Sequence, residues 1–296
     1  MKKNFYYLSL ILGLVLGMTM FTACGGDDDN GGASGGGTSD GGAGGFTPGK
    51  FMGPKRIFGD NLLSSYGGSS SGRELTYDSN GFVTSIKNYK IDANNQKIYS
   101  GNDYEVTYSG NQVIVTYSRP SGSTRQYTFT IGNNGFAESW TTDGKGGAIA
   151  KMKCYYDSDG HLTQLTVYER GEDQPATFFG TFTWQNGNMV ESSSDDGTYR
   201  TYSASYNSIS NVAGLYIQAS LGGDMGDFFE EEFYYIGLLG KGTANLVSSS
   251  GRSEEGSSTH ENAWTLDDAG RPIKCVTTTK SGSGTPTTST YFWTYR

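Results

Sequence analysis

Glu74-Leu-Thr-Tyr77-Asp78-Ser-Asn-Gly81-Phe82-Val83-Thr-Ser-Ile86 decides how this chain is read. A strand-forming run ends on an aromatic residue, an aspartate follows, and a glycine stands three positions later. The Asp78 carboxylate can accept hydrogen bonds from nearby turn amides. Gly81 supplies the positive φ that a tight hairpin demands. Two further copies are Lys153-Cys-Tyr-Tyr156-Asp157-Ser-Asp-Gly160-His161-Leu162 and Trp264-Thr-Leu266-Asp267-Asp-Ala-Gly270-Arg271-Pro272-Ile273, and looser ones carry Gly110, Gly135 and Gly187. The turn glycines are spaced by 29, 25, 25, 27 and 83 residues.

Between the turns, apolar residues alternate: Tyr104-x-Val106-x-Tyr108, Val113-x-Val115-x-Tyr117, Tyr127-x-Phe129-x-Ile131 and Tyr291-x-Trp293-x-Tyr295. Period two is a strand with one buried face, and repetition at this interval lets each hairpin bury that face against its neighbours. The expected fold is mainly all-β: a long, twisted antiparallel meander of repeated hairpins that can curl on itself. Composition agrees, because 14% aromatic residues with abundant Thr and Ser suit a pleated surface. A formal charge of -8 argues against a nucleic-acid partner, which needs basic patches.

The gap of 83 residues calls for an insertion. Asp227-Phe-Phe-Glu-Glu-Glu-Phe233-Tyr-Tyr-Ile236-Gly-Leu-Leu239-Gly240 offers an N-cap, acids in the first turn and a terminating glycine. One helix near 228–239 is expected, packed on the sheet through Phe229, Phe233 and Ile236, with a second helical turn within 211–220.

At the N-terminus, Lys2 and Lys3 precede a short apolar run from Leu8 to Met20, which matches an export signal over residues 1–23 and is short for a membrane span. Phe21-Thr22-Ala23-Cys24 resembles the lipobox of bacterial lipoproteins, and that resemblance implies lipidation at Cys24. Loss of Lys2 and Lys3 with the signal takes the charge to -10. Residues 24–50, with 12 glycines between Gly25 and Lys50, read as a flexible tether. Its root-mean-square reach is about 28 Å. The acidic run Asp27-Asp28-Asp29 resembles the surface-export signal of Bacteroidetes-type lipoproteins. The hairpins resemble YD-type repeats, with Tyr77-Asp78 and Tyr156-Asp157 keeping the pair and Arg271 the following arginine. Together these features are similar to a family of Bacteroidetes-type lipoproteins whose YD-repeat-like β domain, here residues 51–296, has unknown function. The resemblance implies an outer-membrane, lipid-anchored location, exposed at the cell surface or facing the periplasm.

Chemistry is sparse. Cys154 and Cys275 sit within strand patterns, where buried free thiols are favoured over a disulfide. His161 in a turn and His260 in a polar loop are expected to be exposed. Asp157, Asp159 and His161 could form a weak surface metal site, but a turn explains them better, and no zinc or EF-hand spacing occurs. Glu230, Glu231 and Glu232 would fan around a helix, and Gly240-Lys241-Gly242-Thr243 lacks the rest of a phosphate loop. No catalytic residue, metal or cofactor is therefore expected. Trp140, Trp184, Trp264 and Trp293 serve the core or, less simply, a platform for sugar rings. Two functions compete: a non-enzymatic binding or structural module contacting a glycan or protein, and a polysaccharide hydrolase with an unrecognised carboxylate pair. An exposed aromatic patch favours the first, two facing acids in a cleft the second.

Overall fold

The computed structural model describes residues 51, 53–143, 149–169, 172, 176–195, 199–215, 230–252 and 257–296. The signal, Cys24 and the tether lie outside them. Seventeen strands run in chain order: β1 (Leu63–Gly68), β2 (Ser71–Tyr77), β3 (Val83–Ile91), β4 (Lys97–Tyr99), β5 (Asp103–Ser109), β6 (Gln112–Ser118), β7 (Thr124–Ile131), β8 (Ala137–Asp143), β9 (Ile149–Tyr156), β10 (Leu162–Tyr168), β11 (Phe178–Gln185), β12 (Asn188–Asp195), β13 (Tyr199–Ser210), β14 (Asn245–Arg252), β15 (Ser258–Leu266), β16 (Pro272–Ser281) and β17 (Thr287–Tyr295). Every pairing is antiparallel. β17 returns to β1, from Leu63↔Tyr295 to Gly68↔Tyr291, and so closes a sixteen-stranded barrel. β4 stands outside the ring and pairs with β3 along Tyr89–Ile91. The meander does curl on itself, and closure removes both of its unpaired edges.

The alternation of side chains decides which way each strand faces. On β5, Tyr104 and Val106 are buried while Glu105 and Thr107 are exposed. On β6, Val113 and Val115 are buried. The buried apolar residues point inward along this stretch, and the outward positions are Asp, Glu, Thr, Ser and Gln, with Ile114 the apolar exception.

The Asp-x-x-Gly turns all join strands at one end of the barrel, because each links an even crossing of the ring to the next. Asp78 Oδ1 accepts from the amides of Asn80 and Phe82 at 2.9 Å each. Asp157 and Asp267 repeat this with the residues two and four positions on. Gly81, Gly160 and Gly270 have φ of 86°, 89° and 76°, as the turn reading requires. The aromatic residue before the turn has a second task. Tyr108 Oη donates to the Val83 carbonyl (2.8 Å), Tyr156 to Ala137 (2.8 Å), Trp184 Nε1 to Leu162 (2.8 Å), Tyr206 to Met189 (2.6 Å) and Tyr295 to Pro272 (2.7 Å). Each acceptor lies two residues past the glycine of an adjacent hairpin. Tyr77 to Leu63 and Trp264 to Val247 complete the series. The residue right after the glycine stacks on that same aromatic: Phe82 on Tyr108 (5.1 Å), Phe136 on Tyr156 (5.4 Å), His161 on Trp184 (4.2 Å) and Arg271 over Tyr295 (4.6 Å). This rim is a circle of interlocked hairpins, each bond contributing about 1 kcal/mol and each ring pair about as much again.

Two short helices enter from the same end. α1 (Lys55–Phe58) was not foreseen. α2 spans Glu231–Tyr235 only, five residues within the expected 228–239. Gly237, at φ 96°, turns the chain, so the helix stops before Gly240. A Cβ on Gly237 would sit 2.5 Å from the Gly53 carbonyl carbon, so the close approach admits only glycine. Asp227 and Phe229 lie outside the described residues. Phe233 is fully buried and meets Tyr127 and Phe129 edge-on at 4.8 and 4.9 Å. The helix thus sits inside the barrel and not on its outer surface. The chain beyond it is stitched to the rim: Ala137 N donates to Leu238 O, Lys241 N to Gly160 O and Ala244 N to Gly187 O. Asn211–Leu215 is a turn closed by the Asn211 side chain rather than a helix, and 216–220 lie outside the described residues.

Candidate functional site

The interior is filled unevenly. Strands β5–β10 pack Val113, Val115, Phe129, Trp140, Met152 and Leu165 against Phe233 with almost no exposure. On the side formed by β13–β17, β1 and β2, a cavity of about 750 Å³ is left open. Its inward residues are polar or aromatic: His260, Asn262 and Trp264 on β15, Cys275, Thr277 and Thr279 on β16, Tyr291 and Trp293 on β17. The small Ser, Thr and Gly residues of this stretch leave the space that Leu and Phe occupy opposite. Gly67, Gly68, Ser257 and Ser258 place it toward the end away from the interlocked rim.

Trp264 and Trp293 lie 5.5 Å apart at 31°, and the Trp264 indole is fixed by its bond to Val247 O. Arg252 extends along Tyr202, whose hydroxyl accepts from Nε and Nη2 at 2.8 and 2.6 Å. His260 Nδ1 lies 3.0 Å from Thr279 Oγ1. At the back of the cavity, where α2 meets β1 and β2, Arg73 Nε donates to Glu232 Oε1. Glu232 is completely buried. Its second oxygen and the Tyr66 hydroxyl have no hydrogen-bond partner among the described residues.

Burial, reinforced by Glu232, pushes the Glu230 carboxyl up to about 7, even though Tyr127 donates to it at 3.4 Å. Burial likewise lifts Glu231 to about 7, against the pull of Arg73. Burial also raises Tyr66, and the neighbouring glutamates add to it. Burial opposes the charge on Arg73, but Tyr66, Glu232 and Glu231 outweigh it and hold the guanidinium protonated. Three acids and one arginine inside a barrel make a low-dielectric cluster whose net charge depends on pH.

Of the candidates named from sequence, His260, Cys275, Glu231, Trp264 and Trp293 line the cavity, and the other described ones fall elsewhere. His161 is buried, not exposed: it stacks on Trp184 and its Nδ1 lies 3.0 Å from Asp157 Oδ2. His260 belongs to β15, not to a loop, and faces the cavity. Ligand atoms of Asp157, Asp159 and His161 do fall within 4.8 Å of one another, yet the Asp157 oxygens are already engaged by the turn. Cys154 and Cys275 are both buried free thiols, and burial lifts Cys154 to about 12, which keeps it unreactive. Glu230–Glu232 lie at and within the start of an internal helix, so Glu232 is fully buried and the other two are half-buried. Sequence reasoning missed Arg73 altogether; an arginine at an inward position of a strand, between Tyr66 and Leu75 in the alternation, was the available signal.

Comparison with known proteins gives a family and a fold. Residues 75–274 match the model of a domain of unknown function (DUF4595) with porin-like fold. The chain is similar to a porin-like protein from Bacteroides uniformis (18% identity, TM-score 0.63, covering 79% of this chain and 98% of that one). It is also similar to a porin-like protein from Bacteroides vulgatus (16% identity, TM-score 0.51, 80% and 99%). No curated protein matches.

Proposed function

Because the chain belongs to this porin-like family of unknown function, we propose that it is an envelope lipoprotein, held at the outer membrane by lipid on Cys24, whose YD-repeat-like barrel binds a ligand and catalyses nothing. The observation that carries the reading is the polarity of the barrel. A membrane-spanning barrel turns an apolar band outward and keeps a polar lumen. Here the lumen holds the apolar core and a helical plug, while the outward positions of β5, β6, β7 and β16 are mostly polar, among them Glu105, Thr107, Gln112, Thr116, Gln126, Thr128, Lys274 and Thr278, with Ile114 and Val276 as apolar exceptions. The exposed large apolar residues, such as Ile149, Phe179 and Phe292, are scattered over separate strands and form no girdle. A barrel of this kind stands in water and needs a tether to stay at a membrane. No helix among the described residues is long and apolar enough to span one, and the sequence supplies the tether in residues 24–50.

The cavity supports binding over catalysis. Trp264, Trp293, Tyr202 and Tyr291 offer ring faces, and Asn262, Thr277 and His260 offer hydrogen bonds, the mixture expected where a sugar ring is held. Glu231 is the one carboxylate among its described lining residues, whereas glycoside hydrolysis uses a facing pair. Replacement of Cys24 by Ser should move the protein from the membrane to the soluble fraction with the barrel intact. Retention at the membrane without incorporated fatty acid would overturn the anchoring.

A further inference from the structure

We infer that the cavity is built for a small ligand that joins a flat ring face to an anionic group, a carboxylate or sulfate, and that Arg73 and Arg252 receive the charge. This rests on the reading of the cavity as a binding site. Two guanidiniums line it, on β2 and β14, and the Trp264–Trp293 pair lies among the same lining residues. Arg73 spends only its Nε on Glu232, and its terminal N–H groups make no hydrogen bond within the described residues. Beside it, Tyr66 is 4% exposed, lines the cavity and keeps a hydroxyl with no partner there. A buried donor left unpaired is costly unless something else meets it. A ligand oxygen is the partner that satisfies both groups at once, and planar guanidinium donors fit a carboxylate or sulfate in particular.

The acids at the back do not argue against this. Glu232 is neutralised by Arg73. Glu231, flanked by Arg73, Tyr66, Glu232 and Tyr235, has a carboxyl near 7 and can stand protonated as a further donor when an anion is present. An apolar floor of two tryptophans sets the other half of the specificity. A simple inorganic anion would use only one of the two features, and a neutral sugar only the other.

The test is titration of the full chain carrying Cys24→Ser with three probes, followed by calorimetry and tryptophan fluorescence: a hexuronic acid trisaccharide, its sulfated counterpart and the matching neutral hexose trisaccharide. One acidic probe should bind at least tenfold more tightly than the neutral one and quench fluorescence. That advantage should weaken with added salt and vanish in Arg252→Gln. Arg73→Met with Glu232→Met, which removes the buried pair together, should have the same effect, so a folding defect in the single Arg73 variant would not confuse the result. Arg119→Gln, on the β6–β7 connection, should bind as the parent does. Equal binding of neutral and acidic probes, or an acidic advantage surviving in both arginine variants, would overturn the inference and leave the binding module standing. Failure of all three probes to bind would remove both.

Discussion

The two halves of the barrel interior are built from the same hairpin unit and do opposite things. On β5–β10 the inward positions are mostly large and apolar, nearly all fully buried, and Tyr127, Phe129 and Trp140 pack on Phe233. On β13–β17 and β1–β2 the inward positions are Ser, Thr, Asn, Gly and His with a few rings, and a cavity remains. The hydrogen-bonded frame is equal in both, so the difference is one of side-chain volume alone. One half supplies stability; the other spends some of it on a site with unpaired polar atoms. Under the proposed binding reading, stability and recognition are separable in this molecule, and substitution can pull them apart.

The largest effect is expected on the filled side. Phe233→Ala should lower unfolding free energy by about 3 to 5 kcal/mol, from lost transfer and the hole left among Tyr127, Phe129 and Trp140. A denaturant melt reads it, and a loss comparable to that of a cavity-side ring such as Tyr291→Ala would erase the contrast. Next comes Arg73→Met, which strands Glu232. The Arg73 side chain is 33% exposed, so the loss should be about 2 to 3 kcal/mol, below that of a fully buried pair. Most of it should return when Glu232→Met is added.

The same cluster can be probed by pH. Glu230 and Glu231 have folded pKa values of about 7, above the ordinary 4.5. Groups raised on folding favour the folded state fully below about 4.5 and lose that contribution as pH rises through 7. Melts between pH 5 and pH 8 should show stability falling, and Glu230→Gln with Glu231→Gln should flatten the profile. A slope unchanged in that double variant would show that the cluster is not its source.

Smaller effects test the interlocked rim. Gly81→Val, Gly160→Val and Gly270→Val should each cost about 1 to 3 kcal/mol through the positive φ. Gly160 should be the worst, because a Cβ there would lie 2.9 Å from Phe136 Cε2, whereas around Gly270 there is open space. Tyr156→Phe should cost about 1 kcal/mol by removing its bond to Ala137, while Tyr66→Phe should cost nothing or stabilise, since it discards an unpaired hydroxyl. Equal losses for the two tyrosines, read by thermal melts, would show that the Tyr66 hydroxyl already has a partner in solution.

Most of the frame was legible. Asp78, Gly81 and their counterparts mark turns because carboxylate and glycine act over four residues, and period-two alternation marks strands for the same local reason. Closure was harder. The bond from Tyr295 to Pro272 and the pairing of β17 with β1 join positions that no local pattern relates. The insertion was seen as a helix, but its length and place were not: Gly237 looked like a tolerated interior glycine and proved to be the contact point with Gly53. The Glu230–Glu232 triplet read only as acids fanning around a helix, and nothing local marks it for burial, since acids normally stay in water. Only the tertiary position of Arg73 on a distant strand makes its burial tolerable. The cavity itself left a trace in composition, as the run of Thr and Ser along β15 and β16, which strand propensity alone explains equally well.

The interlocked rim has an evolutionary consequence. Every Asp-x-x-Gly turn is bound to its neighbours by a ring and a carbonyl, so an insertion there breaks two hairpins at once. Among the described residues, the connections at the other end near Ser70 and Gly284 show no such pairing of ring and carbonyl, and the one at Ser70 adjoins the cavity-lining Gly68 and Ser71. Change in this family should therefore accumulate at one end of the barrel and be purged at the other. A scaffold with one interlocked crown and one open end can vary at the open end without having to relearn how to fold.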